Sequence, residues 1–140
     1  MPRFVAGDST ELSINHPVFG SRNLEIKSGS DFEYMRGGFK ADDADDNVTA
    51  QGVAIKKVNT SLWSATMTCV SDGRDGLLDY LQDISGSEDD ATITVYHLNG
   101  AVYSGDGYPV GDISLNTQTG EIALTVKGGG TFDQIGTQVI

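Results

Sequence analysis

Residues 113–126 read Ile-Ser-Leu-Asn-Thr-Gln-Thr-Gly-Glu-Ile-Ala-Leu-Thr-Val, and this stretch decides the fold class. Apolar side chains recur at every second position on both sides of a short loop: Ile113, Leu115, Ile122, Leu124 and Val126. The loop, residues 117–120, ends in glycine. Alternation of this kind is typical of a hairpin with one buried face. The stretch therefore predicts scaffold structure and contains no catalytic motif.

The same two-residue period continues through most of the chain. We expect further strands at residues 11–19, 61–69, 91–98, 101–104 and 131–135, and a long hairpin formed by residues 23–35 and 48–57. Asn99-Gly100 is expected to form a two-residue type I' turn in which Tyr96 lies opposite Tyr103. The interruption at residues 28–30 is expected to be a bulge or bend.

One segment has a helical period instead. Leu77, Leu78, Leu81 and Ile84 are spaced as on one face of a helix, with Asp72 as the expected N-cap and Gly86 just past the end. We expect a mainly β, sandwich-like or barrel-like domain over residues 1–140, with about eight strands and one flanking helix. The residues expected in its core are Trp63, Met67, Leu77, Leu81, Ile84, Ile93, Ile122 and Leu124.

Composition limits the function. The formal charge of −11, with only nine basic residues, disfavours binding to a phosphate backbone, which depends on Lys and Arg. Acidity of this kind indicates either ordinary solubility or a surface that repels a polyanion. Cys69 is the only cysteine, which excludes an intrachain disulfide, and no apolar run has the length of a signal peptide or membrane span. We expect synthesis and use in the cytoplasm.

Known catalytic and cofactor motifs are absent from the sequence. The two histidines, His16 and His97, lie in different expected strands and have no metal-ligand spacing. No serine occupies a Gly-x-Ser-x-Gly turn, and Gly105, Gly107 and Gly111 lack the spacing of a dinucleotide loop. We therefore expect neither an enzyme nor a bound cofactor or metal.

The segment 36–47 has no periodicity and exceeds the usual length of a hairpin loop. Its aspartates could coordinate calcium, although they do not match the spacing of an EF-hand loop. The other interpretation is a solvated loop, or one that contacts a neighbouring subunit through opposite charges. The candidate contact residues are Arg36, Phe39, Lys40, Asp42, Asp43, Asp45 and Asp46.

The order of these elements resembles the tail tube proteins of bacteriophages, in outline from about Ser30 to Gly130. The residues that carry the resemblance are Gly107-Tyr-Pro-Val-Gly-Asp-Ile-Ser-Leu-Asn116 and Thr119-Gly-Glu-Ile-Ala-Leu-Thr-Val126, which are similar to the family's final strands. The short single domain favours a contractile tail or a related injection device. The first 20 residues match no part of the family's pattern.

The resemblance implies six-membered rings that stack into a hollow tube, through which DNA passes without specific binding. It implies that residues 36–47 reach the adjacent ring, and that residues 23–35 and 48–57 line the lumen. Expected partners are further copies of the chain and the sheath, baseplate or tube initiator, tape measure and tail terminator proteins. The expected location is the virion tail, after assembly in the host cytoplasm.

Two other functions stay open at this point. One is a monomeric β-sandwich that binds a carbohydrate through Trp63 or Tyr108, aided by calcium at residues 42–46. Trp63 shares the apolar row of its expected strand, which favours a core position instead. The other is a tail terminator or tube initiator, which would form single rings without stacking.

Overall fold

The computed structural model describes residues 6–137, which form eleven strands and one helix. The elements are β1 (Ser9–His16), β2 (Gly20–Glu25), β3 (Glu33–Met35), β4 (Gly38–Ala41), β5 (Val58–Ser61), β6 (Trp63–Val70), α1 (Leu77–Ser85), β7 (Ala91–His97), β8 (Ala101–Pro109), β9 (Leu115–Asn116), β10 (Glu121–Gly128) and β11 (Asp133–Thr137). The predicted fold class, mainly β with one helix, is confirmed. The strands outnumber the predicted eight because the expected strand 23–35 is divided between β2 and β3, and because β4 forms within the expected loop at 36–47.

Nine strands form one antiparallel sheet in the order β2-β1-β7-β8-β10-β6-β3. Two further strands of this sheet lie outside that order: β11 pairs with β8, and β9 pairs with β10. Beyond β2, Ile26 forms a bridge with Cys69, and the N–H of Lys27 donates to the carbonyl of Thr68 at 2.9 Å. The chain after β2 thus joins β6, so the sheet closes on itself like a small barrel, which leaves fewer unpaired edges.

The interior is filled by the apolar rows that the alternation predicts. The eight residues expected in the core are all buried, from Trp63 on β6 to Leu124 on β10. On β6 and β10, the paired register runs without a break from Trp63 opposite Gly128 to Val70 opposite Glu121. In both strands alternate residues face the interior, so the apolar side chains of this pair fill the core.

Helix α1 packs across one end of the barrel. Its buried side chains are Leu77, Tyr80, Leu81 and Ile84, so Tyr80 takes a core position that the sequence pattern did not predict, while Leu78 is half-buried. The Tyr80 hydroxyl donates to the carbonyl of Gly20 at 2.7 Å, and the Ser85 hydroxyl donates to the carbonyl of Pro109 at 2.9 Å. These bonds join the helix to the β1–β2 turn and to the end of β8.

The predicted helix start is wrong by four residues. The N-cap is Gly76, with φ 68°, and Asp72 instead binds the backbone and guanidinium of Arg74. Asp75 contacts the first turn of the helix, where its carboxylate accepts the N–H of Leu77 at 3.1 Å. The positive φ at Gly76 redirects the chain, and glycine adopts it without a steric cost. The predicted end is confirmed, since the helix finishes immediately before Gly86.

The β7–β8 turn also differs from the prediction. Val95, and not Tyr96, lies opposite Tyr103, and the N–H of Gly100 donates to the carbonyl of His97 at 2.9 Å. Among the described residues only glycines have positive φ, including Gly100 at 95°, which excludes a type I' turn at Asn99. The loop therefore has three residues, with glycine in the left-handed position. This one-residue shift exchanges the faces of β8 and removes the predicted tyrosine pair.

The predicted hairpin of residues 23–35 and 48–57 does not form. Residues 23–25 belong to β2, which pairs with β1, whereas β3 pairs with β6. Residues 48–57 contain only an isolated bridge between Val48 and Ala54, and the returning strand is β5, paired with β4. Part of the expected loop at 36–47 is therefore the strand β4.

The first strand also ends earlier than predicted, at His16. Nδ1 of His16 accepts the N–H groups of Val18 and Phe19, and these bonds form a turn.

Candidate assembly interface

A two-stranded ribbon and its end loop project from the barrel, and we call residues 36–62 the arm. It consists of β4, β5 and the connecting residues 42–57. From Lys27 to Leu62 no residue is buried. Eight large apolar side chains are exposed on the arm and the strand that leads into it: Tyr34, Met35, Phe39, Val48, Val53, Ile55, Val58 and Leu62. Such a concentration of exposed apolar surface is typical of an interaction site.

The paired strands β4 and β5 form the stem of the arm, and the stem has one apolar face. Phe39 pairs with Thr60 and Ala41 pairs with Val58. Residues two apart in a strand lie on the same face, so these four side chains share a face, and Lys40 and Asn59 occupy the other. Phe39 is 77% exposed, and all residues of β4 and β5 are exposed or half-buried. A two-stranded ribbon is marginally stable in water unless further structure packs against it.

The end of the arm is a small turn with its own backbone hydrogen bonds. The N–H of Thr49 donates to the carbonyl of Val53 at 2.8 Å, and the N–H of Ile55 donates to the carbonyl of Asn47 at 2.9 Å. This turn exposes Val48, Val53 and Ile55, and Val53 is 62% exposed. The sequence analysis predicted residues 48–57 as the return strand of the long hairpin and did not name these three residues as contact residues. It also missed Val58 and Leu62, although their apolar character was the available signal.

The charged candidates divide between the stem and the end of the arm. Lys40 lies on β4, and the four aspartates Asp42, Asp43, Asp45 and Asp46 follow it, all exposed. Lys56 and Lys57 lie on the returning leg, where the Lys57 carbonyl accepts the N–H of Asp42 at 2.8 Å. With Arg36, the arm carries four basic and four acidic residues. The arm is therefore neutral, and the net charge of −11 belongs to the rest of the chain.

Acidic residues concentrate in the segment that contains the helix and the two strands after it. Residues 72–112 contain nine Asp or Glu side chains, and Arg74 is the only Lys or Arg in that range. One of the nine, Asp72, is held charged by its neighbour, because hydrogen bonds from the backbone and side chain of Arg74 lower its pKa. The segment that contains the helix, β7 and β8 is consequently strongly acidic, whereas the arm is not.

Arg36 lies at the base of the arm and does not reach the aspartates at its end. Its Nε donates to Oδ1 of Asp133 at 2.7 Å, at the start of β11. Beside it, the ring of Tyr34 packs against Tyr103 at 5.0 Å and Phe132 at 5.3 Å between ring centroids. Partial burial and the neighbouring Tyr103 raise the pKa of Tyr34. The base of the arm is thus ordered by aromatic and charged contacts, unlike its exposed end.

The residues of the carbohydrate-binding interpretation are not arranged for that role. Trp63 is 0% exposed, stacks on Phe132 at 4.7 Å, and donates its indole N–H to the carbonyl of Asp106 at 2.9 Å. It therefore offers no ring face to a sugar. Tyr108 is half-buried on β8.

Asp42 accepts a hydrogen bond from the Asn47 amide at 2.7 Å, within the segment considered for calcium. Across residues 6–137, no group of three or more His, Cys, Asp or Glu side chains could hold a metal ion.

A groove of about 810 Å³ lies over β6 and β10 between residues 29–31 and 110–112. Its outward side chains include Thr66, Ala123, Thr125 and Lys127. The described residues that line it include no His or Cys, and they form no pairing of a nucleophile with a base.

Among residues 6–137, no helix has the length and apolarity needed to cross a membrane.

No family model matches the chain, and no curated protein matches it by sequence.

Proposed function

We propose that this chain is a structural virion protein whose copies form six-membered rings that stack into the tail tube of a bacteriophage. The observation that carries the proposal is the exposed surface of the arm and of the strand leading into it, since residues 27–62 bury no side chain yet expose eight large apolar ones. Water-exposed apolar surface of this kind is stabilised when a second molecule covers it. A second copy of the chain is the occupant that the proposal requires.

The edges of the sheet support contacts between copies. Within the described residues, β3 pairs only with β6 and β11 pairs only with β8, so each has an outer edge without a strand partner. Pairing between two different edges of neighbouring copies satisfies backbone groups and makes a head-to-tail contact. Head-to-tail contacts produce a closed ring when the rotation between copies closes.

The charge distribution supports a role as a conduit. Six copies, each with a charge of −11, carry −66 per ring, and like charges repel a passing phosphate backbone. The arm is neutral, so copies could contact one another through it without a large repulsion. In this proposal DNA passes through the tube into the host without binding to its wall, and no chemical step is required.

The proposal places the protein in the virion tail after assembly in the host cytoplasm. Its partners would be the sheath, the baseplate or tube initiator, the tape measure protein and the tail terminator. These partners rest on the resemblance of the final strands and the order of the elements to tail tube proteins.

The apolar face of the arm gives a direct test. Replacing Phe39 and Val58 by Ser removes apolar surface that is exposed in the single chain, so folding should be retained. If loss of both side chains together costs about 3 kcal/mol per contact between copies, the concentration needed for assembly rises about a hundredfold. Sedimentation over a concentration series measures this concentration, and circular dichroism confirms the fold.

Leu98→Ser is the matched control, because Leu98 is half exposed in the β7–β8 turn and lies outside the arm. Assembly that is unchanged in the double variant and in the control would overturn the role of the arm. Rings that never stack would favour a tail terminator or tube initiator. Monomers at every concentration, with binding to a glycan or calcium, would favour the monomeric module.

A further inference from the structure

The arm is bound to the C-terminal strand at the point where it leaves the barrel. We call this region the root, formed by residues 36–38 and 131–133. The N–H of Phe132 donates to the carbonyl of Arg36 at 2.9 Å, and Gly37 forms a bridge with Thr131. These backbone contacts attach the first leg of the arm to the connection between β10 and β11.

Side chains reinforce the same attachment. Asp133 accepts the Arg36 Nε–H through Oδ1 at 2.7 Å and the Thr131 hydroxyl through Oδ2. Both oxygens of this carboxylate are therefore used within the root. A charged hydrogen bond is stronger and more directional than a neutral one, so it fixes the angle between the two segments as well as their distance.

The root leaves little space for the first leg to move. A Cβ at Gly37 would lie 2.5 Å from the backbone nitrogen of Trp63, and one at Gly38 would lie 3.0 Å from Cγ2 of Thr131. Both glycines have positive φ, at 77° and 81°. The chain thus passes between Trp63 and Thr131 in a conformation that glycine adopts readily.

The other side of the root is fixed to the core. Phe132 is 0% exposed and stacks on Trp63, and Asp133 pairs with Ser104 of β8 as the first residue of β11. One short segment, residues 131–133, therefore contacts the arm through its backbone and carboxylate and the barrel through its phenyl ring. The arm and β11 share this segment as their common support.

We propose that the root is a latch that fixes the direction of the arm relative to β11, with Asp133 as its positioning residue. The arm and the outer edge of β11 then form a single preorganised surface, and a partner that contacts one meets the other in a set geometry. This inference goes beyond self-assembly, because it concerns the single chain and can be tested without rings.

Hydrogen exchange of the purified chain, at a concentration where sedimentation shows monomers, tests the latch. Asp133→Ala and Arg36→Gln should each raise amide exchange by about two- to fivefold in β4 and β5, as expected for loss of one exposed ion pair. The charge exchange Arg36→Asp with Asp133→Arg should restore protection. Arg74→Gln, which removes the exposed pair with Asp72, is the matched control and should leave β4 and β5 unchanged.

The pattern of exchange decides the outcome. Faster exchange in β4 and β5, reversed by the charge exchange, is the expected result. Unchanged exchange in β4 and β5 for both single variants would overturn the latch, even if β11 itself exchanged faster. Failure of assembly in the Phe39 and Val58 variant would not alter either outcome, so the two proposals fail separately.

Discussion

Replacement of Gly128 by Ala should destabilise the fold strongly, because three segments meet closely at this residue. Gly128 lies at the end of β10 opposite Trp63, where the indole N–H reaches the carbonyl of Asp106. A Cβ at Gly128 would lie 2.5 Å from the indole nitrogen and 2.8 Å from the Cα of Gly107, and closer still to the Asp106 oxygen. Backbone atoms cannot rotate away as a flexible side chain does, so the strands must separate.

The expected cost follows from two effects. Forcing an extra carbon into a packed interior costs about 1–3 kcal/mol. Weakening the hydrogen bond from Trp63 to Asp106 adds roughly 1 kcal/mol. The sum is about 3 kcal/mol. With an unfolding entropy of about 2.1 cal/mol/K per residue, a chain of this size loses about 10 °C of thermal midpoint.

Thermal unfolding followed by circular dichroism and tryptophan fluorescence measures this loss. Gly129→Ala is the matched control, because a Cβ at the adjacent Gly129 would meet no atom within 4 Å and its φ is not in the left-handed region. The control should unfold within about 2 °C of the wild type. A Gly128→Ala protein as stable as the control would refute the close packing around Trp63.

Two further predictions concern titratable groups. Burial raises the pKa of the Cys69 thiol to about 12, so the native protein should not react with a thiol reagent at pH 8. The unfolded protein should react at once, and rapid reaction of the native state would contradict the buried position. The N–H of Gly29 and the hydroxyl of Ser28 lower the pKa of Asp8, so its carboxylate stabilises the fold above the ordinary pKa of Asp and loses this effect as pH falls through the lowered value. Asp8→Ala should therefore lower the thermal midpoint at pH 7, and this difference from the wild type should shrink as the pH falls below the ordinary pKa of Asp. A difference that is constant with pH would show that the carboxylate is not responsible.

The strands that sequence predicts best are those with the strongest difference between their two faces. On β6, Trp63 and Cys69 are fully buried while Thr66 is exposed, and β10 repeats this pattern as its direct partner. Period-two alternation reports such burial because it depends only on which side of one strand faces the core. The helix was recognisable for the same reason, although Tyr80 was missed as a buried residue.

Pairing partners and turn geometry were not predictable from local pattern. Asn99-Gly100 is compatible with two loop types, and the choice depends on distant contacts, including the position of Tyr103 against Tyr34 and Phe132. The expected hairpin after Asn23 failed because residues 23–25 pair with β1 and residues 33–35 pair with β6, whereas residues 48–57 form the end of the arm. Local alternation gives no information on which distant strand will be adjacent.

The candidate interface was predicted in part. Segment 36–47 was identified from its length and charge, and Phe39, Lys40 and the aspartates lie exposed on the arm. The apolar residues on the returning leg were missed, because exposure in a two-stranded ribbon cannot be distinguished from burial by sequence period. Arg36 was expected to contact a neighbouring subunit, whereas in the single chain it binds Asp133.

Electron microscopy of the purified protein across a concentration series tests the central proposal most directly. We expect hollow rings at intermediate concentration and stacked tubes at high concentration, both lost in the Phe39→Ser, Val58→Ser variant and retained in Leu98→Ser. Monomers at every concentration, with the arm amides exchanging as fast as unstructured peptide, would contradict the proposal that the arm exists to be covered by another copy.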